Sequence, residues 1–152
     1  MKPATVQNGA RMKDDIARVP ALLLCGGSND DRDAAIARLA EPVAEGRSIA
    51  VLRGGTGMFA NPAAPLGPHV VMKRMANGCA CCTAGVMFRV ALFELLRASP
   101  ARLVVDLGPG APMETLEAQL RGGSLARALR VVGRVDLDAA PEAHSLTWPT
   151  DT

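Results

Sequence analysis

Aromatic side chains are nearly missing from this 152-residue chain, which has no Tyr, one Trp and three Phe. A core built without them must come from Leu, Val, Ala, Ile and Met. Stacking platforms of the kind that bind single-stranded nucleic acid are lacking as well. No charge sign is in excess: 17 Lys and Arg stand against 15 Asp and Glu, a formal charge of +2. That is too small to point to nucleic acid. No run approaches the ~20 apolar residues that a membrane helix needs. Met1 to Asp15 is polar and lacks the apolar stretch of a secretory signal. The expectation is a cytoplasmic protein that engages neither nucleic acid nor membrane. With 49% hydrophobic and 21% charged residues, the composition is that of a folded domain.

Cysteine is also scarce, four residues in all, yet three of them fall within Cys79-Ala80-Cys81-Cys82. Three thiols on one short turn can face one small sphere. Thiolates bring negative charge and polarizable sulfur, which suits zinc or a similar transition-metal ion. A disulfide fits badly, because neighbouring cysteines would have to close a very small ring. In a reducing compartment such a cluster reads as metal-binding or redox-active rather than as a structural disulfide. Cys25 ends an apolar run and reads as core, with a fourth-ligand role as the alternative. His69 opens a strand expected near the cluster and reads as a surface residue, with ligation as the alternative.

Apolar runs at Pro20–Cys25, Ser48–Leu52, His69–Arg74, Arg102–Asp106 and Leu129–Val135 predict five strands. Helices are expected over Asp31–Glu45, Ala84–Ala98 and from Met113 to Leu120, the last continuing past Gly122-Gly123. A long loop rich in Gly and Pro is expected from Arg53 to Pro68. Strands alternating with helices, and apolar throughout, predict an α/β fold of three layers: a mainly parallel sheet with helices on both faces. The domain is expected over 19–137, between a loose arm at 1–18 and a loose tail at 138–152 that holds Trp148. In such folds the sites lie at the carboxyl ends of the strands. Cys25-Gly26-Gly27, the loop after Arg53, the cysteine turn and Asp106 all fall there. The fifth strand is expected at an exposed edge, where a second copy of the chain could pair.

The segment Asn77-Gly-Cys-Ala-Cys-Cys-Thr83 resembles the Asn-Gly-Cys-x-Cys-Cys-Thr signature of the CobW-like GTPases, a family of P-loop metallochaperones. The order and spacing of motifs agree over roughly 20–136. The resemblance implies a P-loop-type domain in which Cys79, Cys81 and Cys82 bind Zn(II) or a similar ion. It further implies transfer of that metal to a client protein, coupled to GTP hydrolysis. It places Gly26 at the phosphate loop, Arg32 at the position of its lysine and Asp106 at the acidic strand end that holds magnesium.

The phosphate loop departs from the family's pattern. Gly-x-x-x-x-Gly-Lys-Thr is replaced by Gly26-Gly-Ser-Asn-Asp-Asp31-Arg32-Asp33. Asp31 stands where backbone must approach phosphate, and Asp33 stands where a hydroxyl holds magnesium. Asp30 and Asp31 would each cost roughly 3 kcal/mol against a phosphate charge at ~5 Å and an effective dielectric near 20. That is about two decades of affinity apiece. The family's guanine-reading motif and C-terminal domain are not found in this sequence. Asn29, Asp30, Asp31 and Asp33 can instead cap the helix N-terminus that phosphate would fill. The resulting expectation is a metal-binding protein of metal homeostasis or cofactor assembly with a degenerate nucleotide site, GTP and Mg(II) not being cofactors. An active GTPase is one alternative. A non-catalytic interaction domain with vestigial cysteines is the other.

Overall fold

The computed structural model describes residues 18–41, 47–53, 68–74, 85–106, 113–139 and residue 148. Five strands form one sheet: β1 (Val19–Cys25), β2 (Ile49–Arg53), β3 (Val70–Arg74), β4 (Arg102–Asp106) and β5 (Leu129–Asp136). Their spatial order is β3-β2-β4-β1-β5 and every pairing is parallel. The helices are α1 (Asn29–Leu39), α2 (Gly85–Leu96), α3 (Met113–Leu120) and the single turn α4 (Leu125–Ala128). The expected α/β architecture is therefore present, with helices on both faces of the sheet.

Why the interior strands read as unbroken apolar runs is visible in their burial. Ala21 to Leu24, Ile49 to Leu52 and Leu103 to Val105 are all buried, because both faces are covered. Leu22, Leu24, Ile49, Val51 and Val104 meet Ala35, Ile36 and Leu39 of α1. The alternate residues Ala21, Leu23, Ala50, Leu52, Leu103 and Val105 meet Phe88, Leu92 and Leu95 of α2, together with Met113, Leu116 and Leu120 of α3. The chain leaving β1 thus turns to one face and the chain leaving β4 to the other. Between these two adjacent strands lies the crevice that open α/β sheets use for sites.

Several boundaries differ from expectation. The first helix begins at Asn29, because Ser28 is its N-cap, and ends at Leu39 with Ala40 as its C-cap. The expected helical stretch beyond Glu41, residues 42–45, lies outside the described residues. The third helix stops at Leu120. Gly123 has a φ of +60°, a left-handed conformation that interrupts the helix before α4 begins. β5 takes one edge of the sheet, as expected, and β3 takes the other. Among the described residues no helix is long and apolar enough to cross a membrane.

Trp148, expected in a loose tail, is docked. Its indole N–H donates to the Leu39 carbonyl at 2.9 Å. The Arg102 guanidinium stands 5.1 Å from its ring centroid, a cation–π contact worth about 0.5–1 kcal/mol at a partly exposed site. Both partners lie at the amino-terminal edge of the sheet. Because the chain has one Trp and no Tyr, its fluorescence reports this docking alone. Emission should shift to the red in urea with the same midpoint as far-UV circular dichroism. A fluorescence transition complete well before the helices melt would show that Trp148 is not part of the cooperative unit.

Candidate functional site

The carboxyl ends of β1, β4 and β2 and the start of α1 converge on one buried carboxylate. Register places Asp106 beside Leu24 on one side and beside Arg53 on the other. Along β2, the side chains of Ile49 and Val51 point to the α1 face, and the two-residue period carries Arg53 to that face as well. Its Nε donates to Asp106 Oδ2 at 3.1 Å, and its Nη1 donates to Asp33 Oδ1 at 2.6 Å.

Arg32 reaches Asp106 from the helix. It heads the buried stripe Arg32, Ala35, Ile36 and Leu39, whose spacing is that of one helix face. Helical side chains lean toward the helix N-terminus, so the guanidinium is carried up to the Gly26-Gly27 turn. There Nη1 donates to the carbonyls of Gly27 at 2.9 Å and Gly26 at 3.3 Å, and Nη2 donates to Asn29 Oδ1. Nε lies 3.2 Å from Asp106 Oδ1, with its N–H off the hydrogen-bond direction. Arg32 and Asp106 are both fully buried. The chain Arg32–Asp106–Arg53–Asp33 is formally neutral. Leaving one member out would strand a buried charge, which typically costs 3–5 kcal/mol.

The turn itself is held from two directions. Gly26 and Gly27 have φ of +75° and +70°, a region that disfavours side chains. A Cβ on Gly26 would also fall 2.5 Å from Asp136 Oδ1. The residues after β5 close over this turn. Leu137 donates its N–H to the Cys25 carbonyl at 2.9 Å, and Asp138 Oδ1 accepts from the Gly27 N–H at 3.0 Å. Asp138 in turn donates its own N–H to Asp136 Oδ1 at 2.9 Å.

Downstream, Ser28 and Asp31 form a capping box. Ser28 Oγ accepts from the Asp31 N–H at 3.1 Å, and Asp31 Oδ2 accepts from the Ser28 N–H at 2.9 Å. The backbone N–H of Ser28, and then its hydroxyl, hold the Asp31 carboxyl below its ordinary value. Capping is thus internal, as expected, but Ser28 is the cap. Extended backbone is needed at that position, and Ser28 has it (φ −81°, ψ 172°).

Gly26, Arg32 and Asp106, expected together, are adjacent. Arg53 was expected to begin a loop and is instead the last residue of β2. The signal for it was an arginine closing an apolar strand, two residues beyond Val51 on the same face. Cys25 is partly buried against the α2 face, and its Sγ–H points to the Val135 carbonyl at 3.6 Å. Burial, then the Asp136 carboxylate, raises its pKa above the ordinary thiol value. His69 was expected near the cysteine turn. It sits at the amino end of β3, with its Nε2 2.7 Å from the Ala40 carbonyl. Five residues of strand, roughly 16 Å, separate it from Arg74, where the chain leaves toward the cysteines. Cys79, Cys81 and Cys82 lie outside the described residues. Among the described residues no group of three or more His, Cys, Asp or Glu is arranged to hold a metal.

Comparison with protein-family models, with curated proteins and with solved structures finds no match to this chain.

The buried ion chain makes a quantitative prediction. Asp106→Leu should lower unfolding free energy by about 3–5 kcal/mol, measured by urea titration. The triple variant Arg32→Met, Arg53→Met, Asp106→Leu should cost less than the sum of its parts, because it leaves no buried charge unpaired, Asp33 being half exposed. A loss below about 1 kcal/mol for Asp106→Leu would show that the carboxylate does not hold this edge together.

Proposed function

We propose that this chain is a zinc carrier similar to the CobW-like metallochaperones, and that it works without nucleotide. Cys79, Cys81 and Cys82 supply three thiolates to the cargo ion. A tetrahedral ion then keeps one position open, where a ligand of the receiving client protein can enter before the thiolates let go. The segment that carries the cysteines joins Arg74, at the carboxyl end of β3, to Gly85, at the start of α2. It therefore leaves and rejoins the sheet on the edge that holds Asp106. Neither Cys25 nor His69 is a ready fourth ligand. Burial, and then Asp136, raises the Cys25 thiol above its ordinary value, and His69 stands at the amino edge of the sheet. That favours a fourth position filled by water or by the client.

The observation that carries the nucleotide-free half of this reading is the occupied Gly26–Asp33 turn. A phosphate-binding loop offers its N–H groups and a lysine to an anion. In this chain the Gly27 N–H is taken by Asp138, the Ser28 N–H by Asp31, and the Arg32 guanidinium by loop carbonyls and Asp106. A triphosphate would have to displace two carboxylates of its own charge sign. The residues present do not fit GTP–magnesium.

Metal binding is tested with cobalt. One Co(II) per chain should give strong thiolate charge-transfer absorption, lost in the Cys79→Ser, Cys81→Ser double variant. Binding must release thiol protons, whose reference pKa is near 8.5. Zinc affinity should therefore fall as pH drops from ~8 to ~6. An unchanged cobalt spectrum in the double variant, or a flat pH profile, rules these ligands out.

Nucleotide binding is tested by calorimetry. GTP–magnesium should bind no tighter than about 1 mM, near −4 kcal/mol. The quadruple variant Asp31→Gly, Arg32→Lys, Asp33→Thr, Asp138→Ala frees the loop N–H groups and should gain measurable pyrophosphate affinity. Micromolar GTP affinity in the unaltered protein would instead make it an active GTPase. No gain in the variant would limit the resemblance to the cysteine motif.

A further inference from the structure

The edge of the sheet away from Asp106 holds a second candidate site. A cleft of about 570 Å³ opens there, within the range of small-molecule pockets. Its walls are apolar: Val19 and Pro20 at the start of β1, and Leu96 and Pro100 around the turn from α2 to β4. Three arginines, Arg18, Arg47 and Arg127, complete the lining, and no carboxylate is among the lining residues. Arg47 is tethered to the rim, with its Nη2 3.5 Å from the Ser99 carbonyl. Ser99 holds a φ of +49°, the only non-glycine among the described residues in the left-handed region. Such a conformation is unfavourable for a residue with a Cβ.

Charge is sorted along the strand direction. Asp30, Asp31, Asp33, Asp106, Asp136 and Asp138 all lie at the carboxyl edge, where α1 starts and β4 and β5 end. At the amino edge, Glu41 is bonded to Arg38, and on α3 Glu117 is bonded to Arg121. No carboxylate among the described residues is paired with Arg18, Arg47 or Arg127. Three guanidiniums around an apolar floor match a ligand with an anionic head and an apolar body. Guanidinium binds phosphate oxygens in a planar, two-pronged geometry, and three positive charges suit a dianion better than a monocarboxylate.

We propose that this cleft binds a small organic phosphate, its phosphate held by Arg18, Arg47 and Arg127 and its apolar portion seated against Val19, Pro20, Leu96 and Pro100. This site is separate from the Gly26 turn, and it stands whether or not the chain carries zinc.

Phenyl phosphate is the probe, with inorganic phosphate and phenol as its two halves. Amide shifts in heteronuclear NMR should move at Val19, Ser99, Ala101 and Ala128 and remain still at Gly27, Ser28 and Asp31. Phenyl phosphate should bind at least tenfold tighter than either half. Arg47→Ala and Arg127→Ala should each weaken it about tenfold, the usual size for a lost charge-assisted hydrogen bond. Both arginines are exposed, and unchanged Trp148 emission confirms that the variants fold. Arg121→Ala, on the same half of the molecule but outside the cleft, should leave affinity unaltered. Absence of binding overturns the proposal. So does equal affinity for inorganic phosphate, equal weakening by Arg121→Ala, or a response centred on Gly27 and Asp31.

Discussion

Everything at the carboxyl edge depends on one buried carboxylate that must be neutralised. Asp106 ends a strand whose neighbours are apolar on both faces, so water cannot solvate it. An isolated carboxylate there would cost far more than a small domain can supply. Two arginines meet it, one from β2 and one from α1. Each is itself buried and needs the carboxylate in return. The position of α1 over the sheet, the register of β2 against β4 and the path of the Gly26-Gly27 turn are thereby coupled. None can shift without exposing an unpaired charge to apolar surroundings.

Coupling of this kind changes what the turn can do. A loop that awaits an anion keeps donors vacant and spends binding energy when the anion arrives. Here the donors at Gly27 and Ser28 already have acceptors from the same chain. The acceptor on Gly27 comes from Asp138, 111 residues away in sequence, so closure also ties the end of β5 to the end of β1. The result is an edge whose polar groups satisfy one another. On the proposed reading, chemistry that exchanges with the outside is left to the cysteine segment between β3 and α2.

Charge sorting between the two edges has a simple origin. Helices in this fold run opposite to the strands, so helix starts and strand ends share one edge. Acidic residues are favoured at helix starts and basic residues near helix ends by the helix dipole. Asp30 and Asp31 open α1, and Arg38 closes it. The preference is complete in α1, partial in α3, which opens with Glu114, and in α4, which holds Arg127, and absent in α2, so Asp106, Asp136 and Asp138 at the strand ends supply the rest of the acidic edge. The arginine-lined cleft is where the basic side coincides with an apolar recess.

The strands and the faces of the helices were legible in the sequence, because burial on two faces demands continuous apolar runs and burial on one face demands helical spacing. Arg102–Asp106 matched to the residue, and Met113–Leu120 did so until the glycines intervened. The resemblance put Gly26, Arg32 and Asp106 in one neighbourhood. What the sequence could not reveal was pairing across distance. That Arg53 meets Asp106, that Asp138 serves Gly27 and that Trp148 rests on Leu39 and Arg102 each require a register or a chain reversal that local pattern does not encode. His69 shows a related limit: the direction of β3 puts it at the opposite end of that strand from Arg74, and only the strand's direction decides that. Local physics decided which segments are strand or helix. The order β3-β2-β4-β1-β5 decided which charges meet, because only the three-dimensional arrangement determines where a buried charge finds its partner.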